Sequence, residues 1–457
     1  KPAFPDRVKA LILRKREGLI EELALTASAE GLIRGMLFGD TSKIEESLYE
    51  DFRRNGTAHV LAVSGLHVGM LYGLYRKLYK RWRRFELTAV FVLMLFIYGS
   101  AALWSVSVRR AVILVLLSLG AELLKRRYDL LTALSVAAMT AIGRNPWVIF
   151  GTGFQMSFLA VLSLAFLMPV LERHIGETPA VVIAVQTGLL PYIAYTFNYV
   201  SVTGFFCNFP VVMLVSILVP VAAAGFFIYL AAGLMIPGMS LFLEGLCQAV
   251  AEMNTFFGSF RFLTSDIVSP PLWMIWGFYL FTFTFCSEHF FVSWRRRDSK
   301  SIVFTATVTI VVMLFSTAAG ASPFDKADYI FVDVGQGDCL HIRTEEGKNL
   351  LIDGGGKPSY NIGKQTLKPY LLKNRIARID LAAATHLHMD HYLGLVQLAD
   401  CYPVRNLITE GKAGWRFRLG EKEYKEHIDI LWPEKVNPDT DDENLNSLIF
   451  KVRLREI

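Results

Sequence analysis

Hydrophobic and polar positions divide the chain into two regimes. From residue 59 onward long apolar runs follow one another, with charge gathered into the short stretches between them. Ten runs read as membrane segments: 59–78, 86–104, 110–124, 130–143, 150–171, 179–197, 204–219, 220–236, 270–292 and 301–320. Runs near 20 residues match the thickness of a bilayer core. Pro220 divides one long run into two pieces, a hairpin or a broken helix. Residues 239–262 are less apolar, carry Glu244 and Glu252, and are expected in the interface. Ahead of the spans, residues 1–25 read as an amphipathic helix with Leu11, Leu13, Leu19 and Ile20 among charges, suited to a membrane surface or to packing on the next segment. A polar stretch, 40–55, separates it from the first span.

After Pro323 the pattern shortens. Residues 328–334, 338–343 and 348–353 read as strands, with a turn at 344–348 (TEEGK). Residues 364–374 read as a helix, and 379–385 (IDLAAAT) as a buried strand that ends at His386. Strands followed by alternating elements predict a layered α/β domain. The fold class expected is therefore a polytopic α-helical membrane domain followed by a partial α/β domain.

Composition agrees with the pattern. Hydrophobic residues make up 53% of the 457, too much apolar surface for one soluble fold to hide. The five cysteines, Cys207, Cys247, Cys286, Cys339 and Cys401, form no close pair, which excludes a disulfide framework and a zinc knuckle. The net charge of +6 matters through its placement. Basic loops at 76–84 (RKLYKRWRR), 125–127 (KRR) and 295–297 (RRR) belong in the cytoplasm by the positive-inside rule. An even number of spans between successive loops, then the span at 301–320, places the C-terminal domain outside the cytoplasm. The basic start of the chain is not followed by a signal-peptide cleavage pattern. The sequence lacks an initiator Met and ends within an expected strand, so it is read as a piece of a longer protein.

The most specific string is His386-Leu-His388-Met-Asp390-His391. Imidazole nitrogen and carboxylate oxygen are good ligands for zinc, manganese or iron, and the string sits where a hydrophobic strand ends, a usual place for a site. His386 and His388 can share one ion; Asp390 and His391 can serve a second, roughly 3.5–4 Å away in two-metal sites. Ions held there would activate water against a phosphate or acyl centre. Upstream lie Asp333-Val-Gly-Gln-Gly-Asp338 and Leu351-Ile-Asp353-Gly-Gly-Gly356, whose glycines permit turns of positive φ. Asp353 either orients a ligand histidine or caps a turn; Asp333 and Asp338 join it as candidates around the site. The pattern His-x-His-x-Asp-His resembles the metallo-β-lactamase superfamily. That resemblance implies an αββα fold, two divalent metal sites (Zn or Mn), and further ligands from the second half of the domain. The string from Asp442 to Phe450 resembles the strand entry ahead of a bridging Asp.

A second string, His59-Val-Leu-Ala-Val-Ser64-Gly65-Leu66-His67-Val-Gly69, places polar residues in an apolar run. Ser64 and His67, three apart, are expected on one helix face, where His67 faces a cavity or is a satisfied core histidine. Gly65 and Gly69 permit close helix contact. Arg109 and Arg110 are candidates for phosphate contact, or for anchoring at a helix end. Tyr79 and Trp82 among the cations of the first basic loop suit anionic lipid better than nucleic acid.

These strings together resemble the ComEC family of competence proteins. LAVSGLHVGML looks like the family's signature; Ser105-Val-Ser107-Val-Arg-Arg110 resembles its Ser-Pro-Ser segment, with Val106 where Pro is usual. Gly153-Phe-Gln155-Met-Ser157 and then Pro191, Phe197, Ser201 and Asn208 match further blocks, followed in order by DVGQGD, LIDGGG and HLHMDH. The resemblance implies a channel in the bacterial inner membrane that imports transforming DNA as a single strand, with Ser64, Gly65, His67, Arg110, Gln155 and Asn208 along its path. It implies an extracytoplasmic metal-dependent nuclease domain for the other strand, with Asp390 catalytic. The family's N-terminal OB-fold domain is not found in the sequence. A DNA receptor, a cytoplasmic helicase or ATPase, membrane lipid and a homo-oligomeric partner are its expected company. The domains expected are 1–58 peripheral helices, 59–322 transmembrane, and 323–457 the first half of the hydrolase domain. The alternative is a membrane-anchored metallo-hydrolase with a non-DNA substrate.

Overall fold

The computed structural model of the protein describes residues 4–82, 85–297, 328–344, 347–408, 428–432 and 449–452, with residues 300, 303, 307 and 309. The chain falls into two compact units. One comprises residues 1–190, 200–265 and 281–302; the other comprises 191–199, 266–280 and 303–457.

The first unit is helical. Its early elements are α1 (Phe4–Leu23), α2 (Ala27–Ile33), α3 (Glu46–Arg54), α4 (Gly65–Trp82), α5 (Phe85–Ala101), α6 (Val106–Leu123), α7 (Leu130–Arg144) and α8 (Thr152–Ile175). Then come α9 (Glu177–Phe197), α10 (Thr203–Ala232), α11 (Met239–Gly258), α12 (Leu272–Phe285) and α13 (Glu288–Arg295), of which residues 191–197 of α9 and 272–280 of α12 belong to the second unit. The spine is α10. Cys207, Val211, Val215, Leu218, Ala222, Phe226 and Tyr229 recur every three or four residues and are buried, and the helix packs on α1, α4 and α11. Its outer face, with Phe206, Phe209, Met213 and Ile217, is exposed and equally apolar. A helix apolar all round belongs in a hydrocarbon environment. In α1, Leu19, Ile20 and Leu23 are buried against this bundle, so the amphipathic start packs on the following helices.

Among the described residues, three helices are long and apolar enough to cross a membrane: α8, α9 and α10. Helices α5, α7 and α12 are apolar but shorter. Charge separates two other expected spans from this group: Arg76, Lys77, Lys80 and Arg81 in α4, and Arg109, Arg110 and Glu122 in α6. The break expected at Pro220 does not occur. Helix α10 runs continuously through Pro210 and Pro220, because packing in an apolar bundle holds a helix across a missing hydrogen bond. Within residues 239–262, expected in the interface, 239–258 form α11, which buries Leu243, Cys247, Val250 and Asn254 and packs on α10, α2 and α3. The expected span 270–292 is two helices; Ser287 Oγ accepts from Phe290 N at 3.2 Å and starts the second. Val106 is the first residue of α6, and Ser105 caps it by accepting from Val108 N. Proline is tolerated at that helical position, so Val106 keeps the same helix start. The expected span 301–320 lies outside the described residues.

The second unit carries a five-stranded sheet in sequential order: β1 (Asp328–Phe331), β2 (Leu340–Arg343), β3 (Asn349–Ile352), β4 (Leu381–Ala383) and β5 (Leu407–Ile408). The first two pairings are antiparallel and the last two parallel. The expected turn at 344–348 joins β2 to β3, closed by Thr344 N to Lys348 O at 2.9 Å. The expected helix 364–374 is a wide turn, Gly363–Leu367, continued by α14 (Lys368–Lys373). Helix α15 (Met389–Ala399) follows β4 and packs on that turn and on β4. Leu351, Ile362, Leu367, Leu371, Ala382 and Leu395 share one core. Two further strands, β6 (Ile428–Trp432) and β7 (Ile449–Val452), pair antiparallel with each other. This sheet region is consistent with the first half of the expected hydrolase fold. Residues 442–447, read as the entry to a bridging ligand, lie outside the described residues.

Candidate functional site

Strand β4 delivers the histidine motif. Its last residues lead through Thr385 to His386, and α15 begins one residue after His388. The ring centroids of His386 and His391 lie 4.0 Å apart, and those of His386 and His388 lie 4.6 Å apart. Asp353, at the end of β3, reaches this cluster from the neighbouring strand. Its carboxylate accepts from Thr385 N at 2.7 Å and from His391 Nδ1 at 2.9 Å. Thr385 Oγ1 donates to the same carboxylate and lies 2.9 Å from His386 Nδ1.

These bonds fix the tautomers. His391 donates its Nδ1 proton to Asp353, and His386 donates its own to Thr385, so both rings keep a bare Nε2. Metal-binding imidazoles are commonly oriented in this way. Burial, with the neighbouring His391 and His388, holds His386 below the ordinary imidazole range, which favours the neutral, ligating form. The donor set therefore suits a divalent cation. Among the described residues, no group of three or more His, Cys, Asp or Glu is arranged so that it could hold an ion. Among the described residues, Asp353 alone of the three flanking aspartates hydrogen-bonds a candidate ligand. The Asp333 side chain accepts from Gly335 N at 3.0 Å in its own turn, and Asp338 offers its main-chain carbonyl to Gly355 N at 2.9 Å.

Glycines let three loops meet. A Cβ on Gly356 would stand 1.7 Å from Met389 O, one on Gly337 1.7 Å from Asp390 O, and one on Gly394 2.0 Å from Gly354 O. In that space Gly354 N donates to His391 O and Gly394 N to Gly355 O. The two glycine-rich strings thus grip the start of α15, where the motif lies.

The helical unit gathers the second set of residues. Ser64 is the residue before α4, a place where serine is strongly preferred, and its Oγ lies 3.3 Å from His67 Nδ1. Leu66 N donates to Ser64 Oγ at 3.2 Å, and Ser64 N donates to His67 Nδ1 at 3.0 Å. His67 is fully buried, and its Nε2 has no partner among the described residues. Arg110, expected beside the membrane segments, is in the first turns of α6 and 7% exposed. Its Nη1 donates to Ser157 O, its Nη2 lies against Gly65, and its Nε has no partner. Ser107 donates to Ser157 Oγ at 3.1 Å. Among the described residues, Arg110 has no carboxylate partner. The other two expected path residues lie elsewhere: Gln155 Nε2 bonds Ile149 O at 2.9 Å, and Asn208 Nδ2 bonds Gly204 O at 2.6 Å.

Residues 36–292, more than half of the chain, match the competence protein family. The chain belongs to the competence protein family. In this competence protein, residues 332–452 also match the metallo-β-lactamase superfamily. ComE operon protein 3 of Bacillus subtilis is 24% identical over 406 residues, covering 84% of this chain and 51% of that protein. Recombination protein 2 of Haemophilus influenzae is 24% identical over 441 residues, covering 85% and 54%. Uncharacterized protein YcaI of Escherichia coli is 22% identical over 397 residues, covering 82% and 50%. The chain spans about half the length of these relatives. No solved structure matches it.

Two members of this competence protein's polar clusters escaped the sequence reading. Thr385 joins Asp353 to His386, and its local signal is no more than its place before the first histidine. Asn254, on α11, accepts from Thr57 Oγ1 at 2.6 Å and its carbonyl accepts from Asn55 Nδ2 at 2.6 Å. No motif marks it; only the packing of α11 on α3 brings these residues together.

Proposed function

We propose that the chain is the membrane part of an inner-membrane channel that takes up transforming DNA as a single strand, with an attached metal-dependent phosphodiesterase for the other strand. One observation carries this reading: a competence-family helical region and a His-x-His-x-Asp-His motif occupy one chain in that order. The domains are 1–58, 59–322 and 323–457, and the three basic loops favour a hydrolase domain outside the cytoplasm.

In the helical region, Arg110 supports passage of an anion. A guanidinium buried without a carboxylate is costly in an apolar bundle, and a phosphate moving past would meet its unpaired edge. Ser64, Gly65 and His67 belong to the same path, with Gln155 and Asn208 further along it. In the hydrolase domain, His386, His388, Asp390 and His391 would hold divalent ions, zinc or manganese. Bound ions supply Lewis-acid polarisation of the phosphodiester and an activated water. Asp353 and Thr385 hold the imidazoles in the ligating tautomer, and Asp390 belongs to the reacting centre. A DNA receptor, a cytoplasmic helicase or ATPase, lipid and a second copy of the chain are the partners of this reading.

The test is uptake of end-labelled double-stranded DNA by a competent host whose own channel is deleted. The host carries the full gene, intact or as Asp390→Ala. Import with the intact gene, and an undegraded complementary strand outside with the variant, is the expected result. Correct membrane insertion without import would overturn the channel in favour of an anchored hydrolase with another substrate.

A further inference from the structure

Beside the glycine-rich loops of the hydrolase region lies an open cavity of about 550 Å³, lined by Gln336, Lys357, Ser359, Tyr360 and Ile362, among others. That size falls within the roughly 300–1,000 Å³ of small-molecule sites. The chemistry of its lining is specific. Residues 357–360 form a tight turn closed by Tyr360 N donating to Lys357 O at 3.0 Å, which brings the ammonium-bearing and aromatic side chains to its two ends. Pro358 pre-sets the backbone at the second position of this turn. Tyr360 is 42% exposed, with its hydroxyl 3.5 Å from Thr366 Oγ1. Among the described residues Lys357 has no carboxylate partner, and the Asp333 carboxylate accepts from Gly335 N.

The cavity adjoins the histidine motif through the backbone. Gly356, the residue before Lys357, donates to Gln336 O at 3.2 Å and touches Met389 O, while Gly337 touches Asp390 O. Both walls are thus one residue from backbone that packs on Met389 and Asp390.

We propose that this cavity is a nucleotide-binding subsite: Tyr360 stacks on a base of a single-stranded segment, Lys357 meets its phosphate, and the adjoining phosphodiester lies at the candidate metal centre. The assignment rests on the functional reading above and adds to it the residues that seat the strand. An aromatic ring beside a cation is the usual platform for unpaired bases. The exposed amide of Gln336 adds a donor and an acceptor for a base edge.

The test uses the full-length protein in detergent, with chelator present so that no strand is cut. An oligonucleotide carrying 5-iododeoxyuridine is photocrosslinked and the attachment mapped by mass spectrometry. Its affinity is measured in parallel for Tyr360→Ala, Tyr360→Phe and Lys357→Gln. A crosslink within residues 357–362 is expected. Tyr360→Ala should weaken binding at least about fivefold, while Tyr360→Phe retains it. Lys357→Gln should reduce the slope of log affinity against log salt by about 0.7, the share of one phosphate on a single strand. Crosslinks confined to other segments, with all variants binding as wild type, would overturn the subsite and leave the uptake reading standing. No crosslink and no binding by the wild type would overturn both.

Discussion

A Cβ added to Gly65 would stand 2.6 Å from Nη2 of Arg110. Two strings that sequence reading singles out separately, one opening α4 and one opening α6, therefore meet at a single contact. The glycine leaves the space that the guanidinium fills.

Gly65→Ala is expected to displace Arg110 from Ser157 O and to reduce uptake by about tenfold or more, while membrane insertion stays normal. Overpacking of this kind costs about 1–3 kcal/mol. Coupling is the sharper measurement. In an Arg110→Lys background the Gly65→Ala change should cost less, because the slimmer ammonium yields the space. Strict additivity of the two changes would refute the contact, since neighbours in contact couple.

Asp353 holds a positive φ of 57° and is buried while it serves Thr385 and His391. Asn tolerates this backbone but its amide nitrogen cannot accept the His391 proton. Asp353→Asn should therefore keep the fold and weaken divalent metal binding about 10–100-fold, measured by competition with a chromogenic chelator. Equal affinity in the variant would show that His391 needs no orienting carboxylate.

Gly356→Ala and Gly394→Ala should each destabilise the sheet-bearing unit by about 3 kcal/mol or more, because the new methyl meets backbone oxygen rather than a flexible side chain. Hydrogen exchange in peptides of α15 reports this. Gly347→Ala is the control: among the described residues no atom lies within 4 Å of its added Cβ, although its φ of 77° imposes a smaller backbone strain. Equal effects at all three glycines would discount the close approach.

His341 is enclosed beneath the sheet, with Nδ1 3.0 Å from Tyr370 Oη and Nε2 3.3 Å from Asn349 Oδ1. Burial depresses its pKa. The folded state then binds fewer protons than the unfolded one, so stability is full above the ordinary imidazole pKa of about 6.5 and falls as pH drops below it. Hydrogen-exchange protection of residues 340–352, corrected for intrinsic rates, should decline from about pH 7.5 to about pH 5.5. His341→Gln should remove most of that decline; an unchanged decline would assign it to other groups.

The sequence by itself determined the local elements and the chemistry they carry. Apolar runs gave the helices of the first unit, short runs around a turn gave β1 to β3, and the string from His386 to His391 marked the candidate metal site, because each depends on neighbours a few residues away. What the sequence could not decide was partnership across the chain. Arg110 finds Ser157, Asp353 finds His391, and Asn254 finds Asn55 and Thr57 only after helices and strands have packed. The same reason explains α10 and α11. Proline at 220 argues locally for a break, and the helix runs through it; the burial of Leu243, Cys247 and Val250 in α11 likewise depends on the helices packed around it. A helix-interior proline costs about 3 kcal/mol by local propensity, whereas in hydrocarbon each backbone group left without a partner costs several kcal/mol, so the helix stays intact and close packing against neighbouring helices fixes its partners.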